Sequence, residues 1–382
     1  MTRPVLPDAD ELPIGRRVAR WRVRRRMTQQ MLADRLGKSK SWVDKVERGV
    51  RSLDRYSTVQ EIAEVLRLDP AALLDPRRPL PAVTVGLDGV DAVRAALARY
   101  HHRPARTVSP DEVQRHVAHA WLTYQHAHYT QLLRALPTLL DAAHATPGPL
   151  VSAYRITASV LVKLGEADLG WLAADRAVAA AVGDPVRAGT ATIAAAQALR
   201  ALGRDRLALT AAVAAIGTAA DDAVRGTLFL QAALAAAGCG DGRRADHLID
   251  HATVLADRCT SDDDPHHTAF GPVAVLLARF LTAQRLGDTA EAVYRHEKAI
   301  GRDDWRRLPV EHRAAHLVDA ARAYLDAGDP TAAGRTLVDA DAIAPAEVRY
   351  RPAARTLVAE IARSGPPAAG VARLATTLGL TR

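Results

Sequence analysis

The chain has 382 residues, 48% of them hydrophobic but only 4% aromatic, and a net charge of +8. That length suits two or three domains, or one small domain with a repeat array. The alanine-rich, aromatic-poor composition argues against sheets, since strands draw on β-branched and aromatic residues.

The charge is uneven. Residues 1–80 carry 18 Lys and Arg against 11 Asp and Glu, so +7 of the +8 lies in the first fifth. A polyanion is the natural partner of that segment. The two cysteines, Cys239 and Cys259, form no CxxC pair and make no disulfide framework. The opening "MTRPVLPDADELP" has prolines and acids where a signal peptide needs an apolar run. No stretch offers the ~18 continuous apolar residues of a membrane span. A cytoplasmic protein with no membrane partner is expected.

Five helical pieces are predicted at the N-terminus. Ile14 to Arg25 has Ile14, Val18 and Trp21 at helical spacing, with arginines on its other faces. Thr28 suits the N-cap of a second helix reaching Leu36, and Gly37 suits the left-handed residue that ends it. Ser39 suits the cap of a third helix running to about Arg48 and stopping at Gly49. Ser57 with Gln60 reads as a capping box for a fourth, and Asp69-Pro70 opens a short fifth piece, "AALL". Leu32, Ala33 and Leu36 should face inward with Val43 and Val46. Lys40, Ser41, Trp42, Lys45 and Arg48 should then point outward from the third helix. Helices this short are marginal alone, so the second and third must brace each other, and the outward polar row must meet something other than core.

Gln29, Leu32-Ala33, Gly37, Ser39, Val43 and Val46-Glu47-Arg48-Gly49 together resemble the phage-repressor-like (Cro/C1, or XRE-family) helix-turn-helix domain over roughly residues 12–75. The resemblance implies double-stranded DNA as partner. It implies a phosphate contact from Gln29 and base-edge contacts from Lys40, Ser41 and Lys45. Trp42 stands where the family often has a small polar residue, so it either meets DNA or packs on its own domain. Arg48, Arg51 and Arg55 are placed to reach the DNA backbone. The run Arg16 to Arg26 would give general phosphate attraction.

"DPRRPLPAVTVG", residues 75–86, has three prolines and no helical period, and reads as a connector. Three parts follow: 1–75, the helix-turn-helix domain; 76–85, the linker; and 86–382, a helical repeat. Ser109-Pro110-Asp111-Glu112 marks a helix start. Thereafter glycines recur at 165, 203, 240, 287 and 328, spaced by 38, 37, 47 and 41 residues. Five residues after each stands Gly170, Ala208, Ala245, Ala292 or Ala333, and twelve after each stands Ala177, Ala215, Ala252, Ala299 or Ala340. Small residues in fixed register let helices pack closely. The register resembles the tetratricopeptide repeat, with Pro345 at its terminal proline, although the units are longer and the aromatic positions are mostly lost. The expected fold is all-α, a repressor-like helix-turn-helix domain followed by a tetratricopeptide-like α-solenoid. Carrying the repeat's groove positions across names Arg155, Ser159, Lys163, Thr190, Gln197, Arg200 and Arg322. Several are basic, which suits a peptide with acidic or carboxylate groups. A small molecule or a protein partner is an alternative guest.

Fourteen histidines include the pairs His247/His251, His312/His316 and His116/His119, but none sits in HExxH. No P-loop, GxSxG or GxGxxG occurs, and "SDDDP", Ser261 to Pro265, lacks the alternation of a calcium loop. Neither an enzyme, a metal nor a cofactor is expected. The sequence reads as a homodimeric transcriptional regulator. Two other readings stay open: an interaction scaffold with a non-specific nucleic-acid tether, and an antitoxin-type autorepressor.

Overall fold

A computed structural model describes residues 14–25, 27–51, 53, 56–66, 73, 89–99, 108–144, 147–259, 263–364 and 369–380. Among these residues there are twenty α-helices and no strand. The chain divides into two compact units, residues 1–84 and 85–382. The connector at residues 76–85, and Arg55 with it, lies outside the described residues.

The first unit has helices α1 (Ile14–Arg24), α2 (Gln29–Leu36), α3 (Lys40–Glu47) and α4 (Tyr56–Leu66). The Thr28 and Ser39 side chains accept from the backbone N–H of Met31 and Trp42, and Gly37 is left-handed at φ 63°. The core is Val18, Leu32, Ala33, Val43, Val59, Ile62, Ala63, Leu66 and Leu73, with Ile14, Trp21 and Leu36 packed against it. One expectation is corrected. The fourth helix begins at Tyr56, so Ser57 lies inside it, and a capping residue must itself stand outside the helical run. Of the fifth piece only Leu73 is described, and it is buried.

The second unit opens with α5 (Val90–Leu97) and the pair α6 (Pro110–Gln125) and α7 (Tyr129–Ala143). Ser109 caps α6 by accepting from Glu112 N–H. Five helix pairs follow: α8 (Pro147–Lys163) with α9 (Ala167–Ala180), α10 (Pro185–Ala201) with α11 (Asp205–Ile216), α12 (Asp222–Gly238) with α13 (Gly242–Ala256), α14 (Pro272–Arg285) with α15 (Thr289–Ile300), and α16 (Val310–Asp326) with α17 (Pro330–Ile343). Three short helices close the unit, α18 (Pro345–Arg349), α19 (Pro352–Arg363) and α20 (Ala369–Thr377).

Each of the five repeating glycines joins the two helices of one pair, at φ between 68° and 85°, a conformation that glycine takes without steric cost. After each, the next residue's N–H reaches back to a carbonyl in the preceding turn, at 2.8–3.0 Å, as in Glu166 to Leu161 and Asp241 to Ala236. This bond satisfies an orphan carbonyl at the helix end. In three turns that next residue is Asp241, Asp288 or Asp329, and its carboxylate caps the following helix. Nine of the ten register residues are buried, and Ala215 is half-buried.

The first and last pairs of the second unit meet. The core around α6–α10 takes in Ala314 and Ala344, with Val310, Ile343, Ala346 and Tyr350 packed against it. A Cβ on Gly165 would lie 2.7 Å from Pro352 Cγ.

Candidate nucleic-acid interface and ligand cavity

In the first unit, what fixes the angle of α3 is a buried ion pair. Arg22 Nε donates to Glu47 Oε1 at 2.6 Å, and Arg22 Nη2 donates to Glu47 Oε2 at 3.0 Å. Arg22 Nη1 also donates to the Met27 carbonyl at 2.8 Å. A bidentate fork of this kind sets both distance and orientation. Beside it, a Cβ on Gly15 would lie 2.0 Å from the Val46 carbonyl oxygen, so only glycine lets α1 run this close to α3.

That bracing presents Lys40, Ser41, Lys45 and Arg48 to solvent. Arg48 pairs with Asp44 at 2.7 Å on the exposed face. Trp42 is half-buried and packs on the core, with the Arg51 guanidinium 5.9 Å from its ring centroid. Gln29 Nε2 donates to Glu47 Oε2 at 2.9 Å, which ties the start of α2 to the end of α3. Arginines of the basic run are also used internally, among them Arg22, as above, and Arg17, whose Nε donates to the Leu73 carbonyl at 2.8 Å.

In the second unit a cavity of about 240 Å³ opens between the first helices of successive pairs. It lies just below the range for small-molecule pockets, roughly 300–1,000 Å³. Its walls come from α6, α8, α10, α12, α14 and α16, closed on one side by the segment before α14. Asp264 organises that segment. Its carboxylate accepts from the Thr268 N–H and hydroxyl at 2.9 and 3.1 Å and from the Ala269 N–H at 2.7 Å. His267 and Ala269 are thereby held left-handed, at φ 52° and 48°, a conformation that costs a residue with a Cβ about 1–2 kcal/mol. The His267 ring stacks on Trp121 at 4.6 Å.

The predicted groove residues separate. Arg155, Ser159 and Gln197 line the cavity, whereas Lys163, Thr190, Arg200 and Arg322 do not. Arg155 donates to the His266 carbonyl at 2.8 Å and lies 5.3 Å from the Trp121 ring centroid. Burial lowers its pKa to about 10, with Asp264 opposing the shift. Arg200 donates to Gln231 Oε1 at 3.0 Å. Burial, then Arg285, lower its pKa to about 9, against Asp205. The Thr190 hydroxyl donates to the Arg187 carbonyl. Arg322 pairs with Glu360 at 2.5 Å.

Lys163 is the centre of a buried network. It pairs with Glu311 and, at 2.6 Å, with Glu347. Tyr129 O–H donates to Glu347, and Arg351 Nη1 donates to the same carboxylate at 3.1 Å. Burial alone would lower the Lys163 pKa, but Glu311 and Glu347 outweigh it and the net shift is upward.

The histidines pair differently from their sequence spacing. His316 accompanies His296, not His312, at 2.9 Å between ring nitrogens. Burial holds both neutral, with pKa values near 3 and near 4 respectively. His247 and His251 do approach, at 3.2 Å on an exposed face. Among the described residues no three His, Cys, Asp or Glu side chains group as a metal site. Among them too, no helix is long and apolar enough to cross a membrane. Reading the sequence missed Trp121, His267 and Phe270 as cavity walls. No sequence signal marks a left-handed histidine or alanine.

Residues 13–75 match the family model described as a helix-turn-helix domain. No curated protein matches the chain. Several solved structures are similar to it. One is Bacillus thuringiensis PlcR in complex with the peptide PapR7 and DNA, at 12% identity and TM-score 0.41, over 75% of this chain and 92% of that one. Another is BtubC (BKLC) from P. vanneervenii, at 16% and 0.36, over 60% and 90%. A third is ComR from S. thermophilus in complex with DNA and its signalling peptide ComS, at 12% and 0.30, over 84% and 99%.

Proposed function

We propose that this chain is a sequence-specific, DNA-binding transcriptional regulator whose helical-repeat unit takes a ligand and pairs two copies. The observation that carries the reading is the row Lys40, Ser41 and Lys45, exposed on α3 of a matched helix-turn-helix domain while Arg22 and Glu47 lock that helix from behind. Lysines at those positions suit guanine O6 and N7 in the major groove. Gln29, Arg48 and Arg51 would touch the sugar-phosphate backbone, and Trp42 would flank the groove. Contacts of that kind set register and are salt-sensitive. In a homodimer the two recognition helices meet successive major grooves, roughly 34 Å apart. The protein works in the cytoplasm and is no enzyme. A peptide, small molecule or protein partner in the 240 Å³ cavity would change DNA affinity by its differential affinity for two arrangements of the protein.

The test is selection of bound sites from a random duplex pool by the intact protein at physiological salt. An enriched inverted repeat is expected. Lys40→Ala and Lys45→Ala should each relax preference at particular base pairs, by about 1–3 kcal/mol. If both variants weaken every sequence alike, base reading by α3 is wrong and the protein is a non-specific tether.

A further inference from the structure

We propose that the cavity of the second unit selects an amphipathic cation, with an apolar body against Trp121, Phe270 and Leu277 and a protonated amine or guanidinium beside the carboxylate of Asp319. This deepens the reading of that unit as the ligand-binding part and rests on it. It also reverses the charge expected from the groove's basic residues.

The reversal follows from where the charges are used. Of the four basic groove positions, only Arg155 lines the cavity. Its guanidinium is engaged by the His266 carbonyl and lies near the Trp121 ring. Lys163 is held between Glu311 and Glu347, and Arg322 by Glu360. Two acids, Glu311 and Asp319, line the cavity against that one arginine. Of these, Glu311 is spent, with 1% of its side chain accessible and Lys163 upon it.

Asp319 is different. It keeps 31% of its side-chain surface accessible while lining the cavity. Its cation, Arg351, stands at 3.5 Å through Nη2, while Nη1 of the same guanidinium is closer to Glu347, at 3.1 Å. The linked network holds Lys163 and Arg351 against Glu311, Glu347 and Asp319, with the His312 imidazole 3.2 Å from Glu311. With that imidazole neutral, two cations face three carboxylates, and burial raises the Asp319 pKa against the pull of Arg351. A cation arriving through the cavity balances that excess at its one accessible carboxylate, in surroundings of low dielectric where such pairing counts for more. Trp121, Phe270, Leu277 and Leu281 line the same cavity among its polar residues, which leaves room for an apolar body behind the charge.

The probes are phenethylamine, phenethyl alcohol and 3-phenylpropionate, which share one ring and differ in charge. They are titrated calorimetrically into the full-length protein at neutral pH. Phenethylamine is expected to bind at least about tenfold more tightly than either of the others, a difference of about 1.4 kcal/mol. In Asp319→Asn that preference falls to near parity, while phenethyl alcohol binds as in the parent, which reports an intact cavity. Leu277→Trp, filling the space, abolishes binding of all three. A blocked Leu-Leu-Lys peptide bound more tightly than its norleucine counterpart would show that the site also takes the amine of a lysine side chain. Tightest binding by 3-phenylpropionate, equal binding of amine and alcohol, binding of none of the probes, or an amine preference that survives Asp319→Asn overturns the proposal. Site selection on DNA by the same Asp319→Asn protein keeps the two readings apart, since loss of sequence preference there bears on the regulator and not on the charge of the ligand.

Discussion

Glu47 shows how one residue serves fold and function together. It is 4% exposed, it takes both arms of the Arg22 fork, and it holds Gln29. Glu47→Ala leaves the Arg22 guanidinium buried without its counter-charge, a change that costs about 3–5 kcal/mol. The expected outcome is selective unfolding of the first unit, seen as loss of DNA binding and of the low-temperature phase in a thermal melt, with the second unit's transition unmoved. Unchanged DNA binding would show the pair to be dispensable. Glu47 was visible in the sequence as part of the motif, but its partner was not. Arg22 sits among similar arginines, and only the turn of α1 distinguishes it from Arg16 and Arg20, which face solvent.

At the scale of elements, the repeat works because small residues sit where helices cross. Ala245 and Ala252 of α13 are fully buried, as are Ala333 and Ala340 of α17. A sharper case is Gly226 in α12, where a Cβ would lie 2.0 Å from Phe270 Cζ. Because Phe270 belongs to the segment shaped by Asp264, Gly226→Ala should push that ring aside, destabilise the second unit by about 1–3 kcal/mol and weaken ligand binding at the cavity. Urea unfolding followed at Trp121 and calorimetry with phenethylamine read the two effects. An unchanged midpoint with unchanged affinity would mean that the ring relocates freely. The regular glycine turns were legible because glycine's left-handed preference is intrinsic to the residue. The wall at His267 was not, because its conformation is imposed by hydrogen bonds to Asp264.

For the second unit as a whole, the decisive feature is that residues far apart in sequence share buried charges. Lys163 joins Glu347 across 184 residues and Tyr129 does so across 218. Removing the cation in Lys163→Met leaves Glu311 and Glu347 crowded in a dry site, a loss of about 3–5 kcal/mol. Adding Glu347→Gln should recover part of it, and the non-additivity in denaturant midpoints measures the coupling. Additive midpoints would mean that the contact between the ends of the unit rests on apolar packing alone.

The sequence by itself determined the all-helical character, the caps at Thr28, Ser39 and Ser109, the repeat register and the domain that matches the helix-turn-helix model. The caps and turns depend on residues within one or two turns of one another, and the register on short fixed offsets from each glycine, where spacing and capping chemistry act directly. It also suggested a basic ligand groove, by placing cations on the first helices of the repeats. Only the tertiary structure decided which of those cations remain available, because their partners lie up to 184 residues away. The second unit consumes Lys163 and Arg322 in its own ion pairs and turns Asp319 toward the cavity instead. Charge type is written in the chain, but charge balance at a buried site is set by which helices the fold brings together.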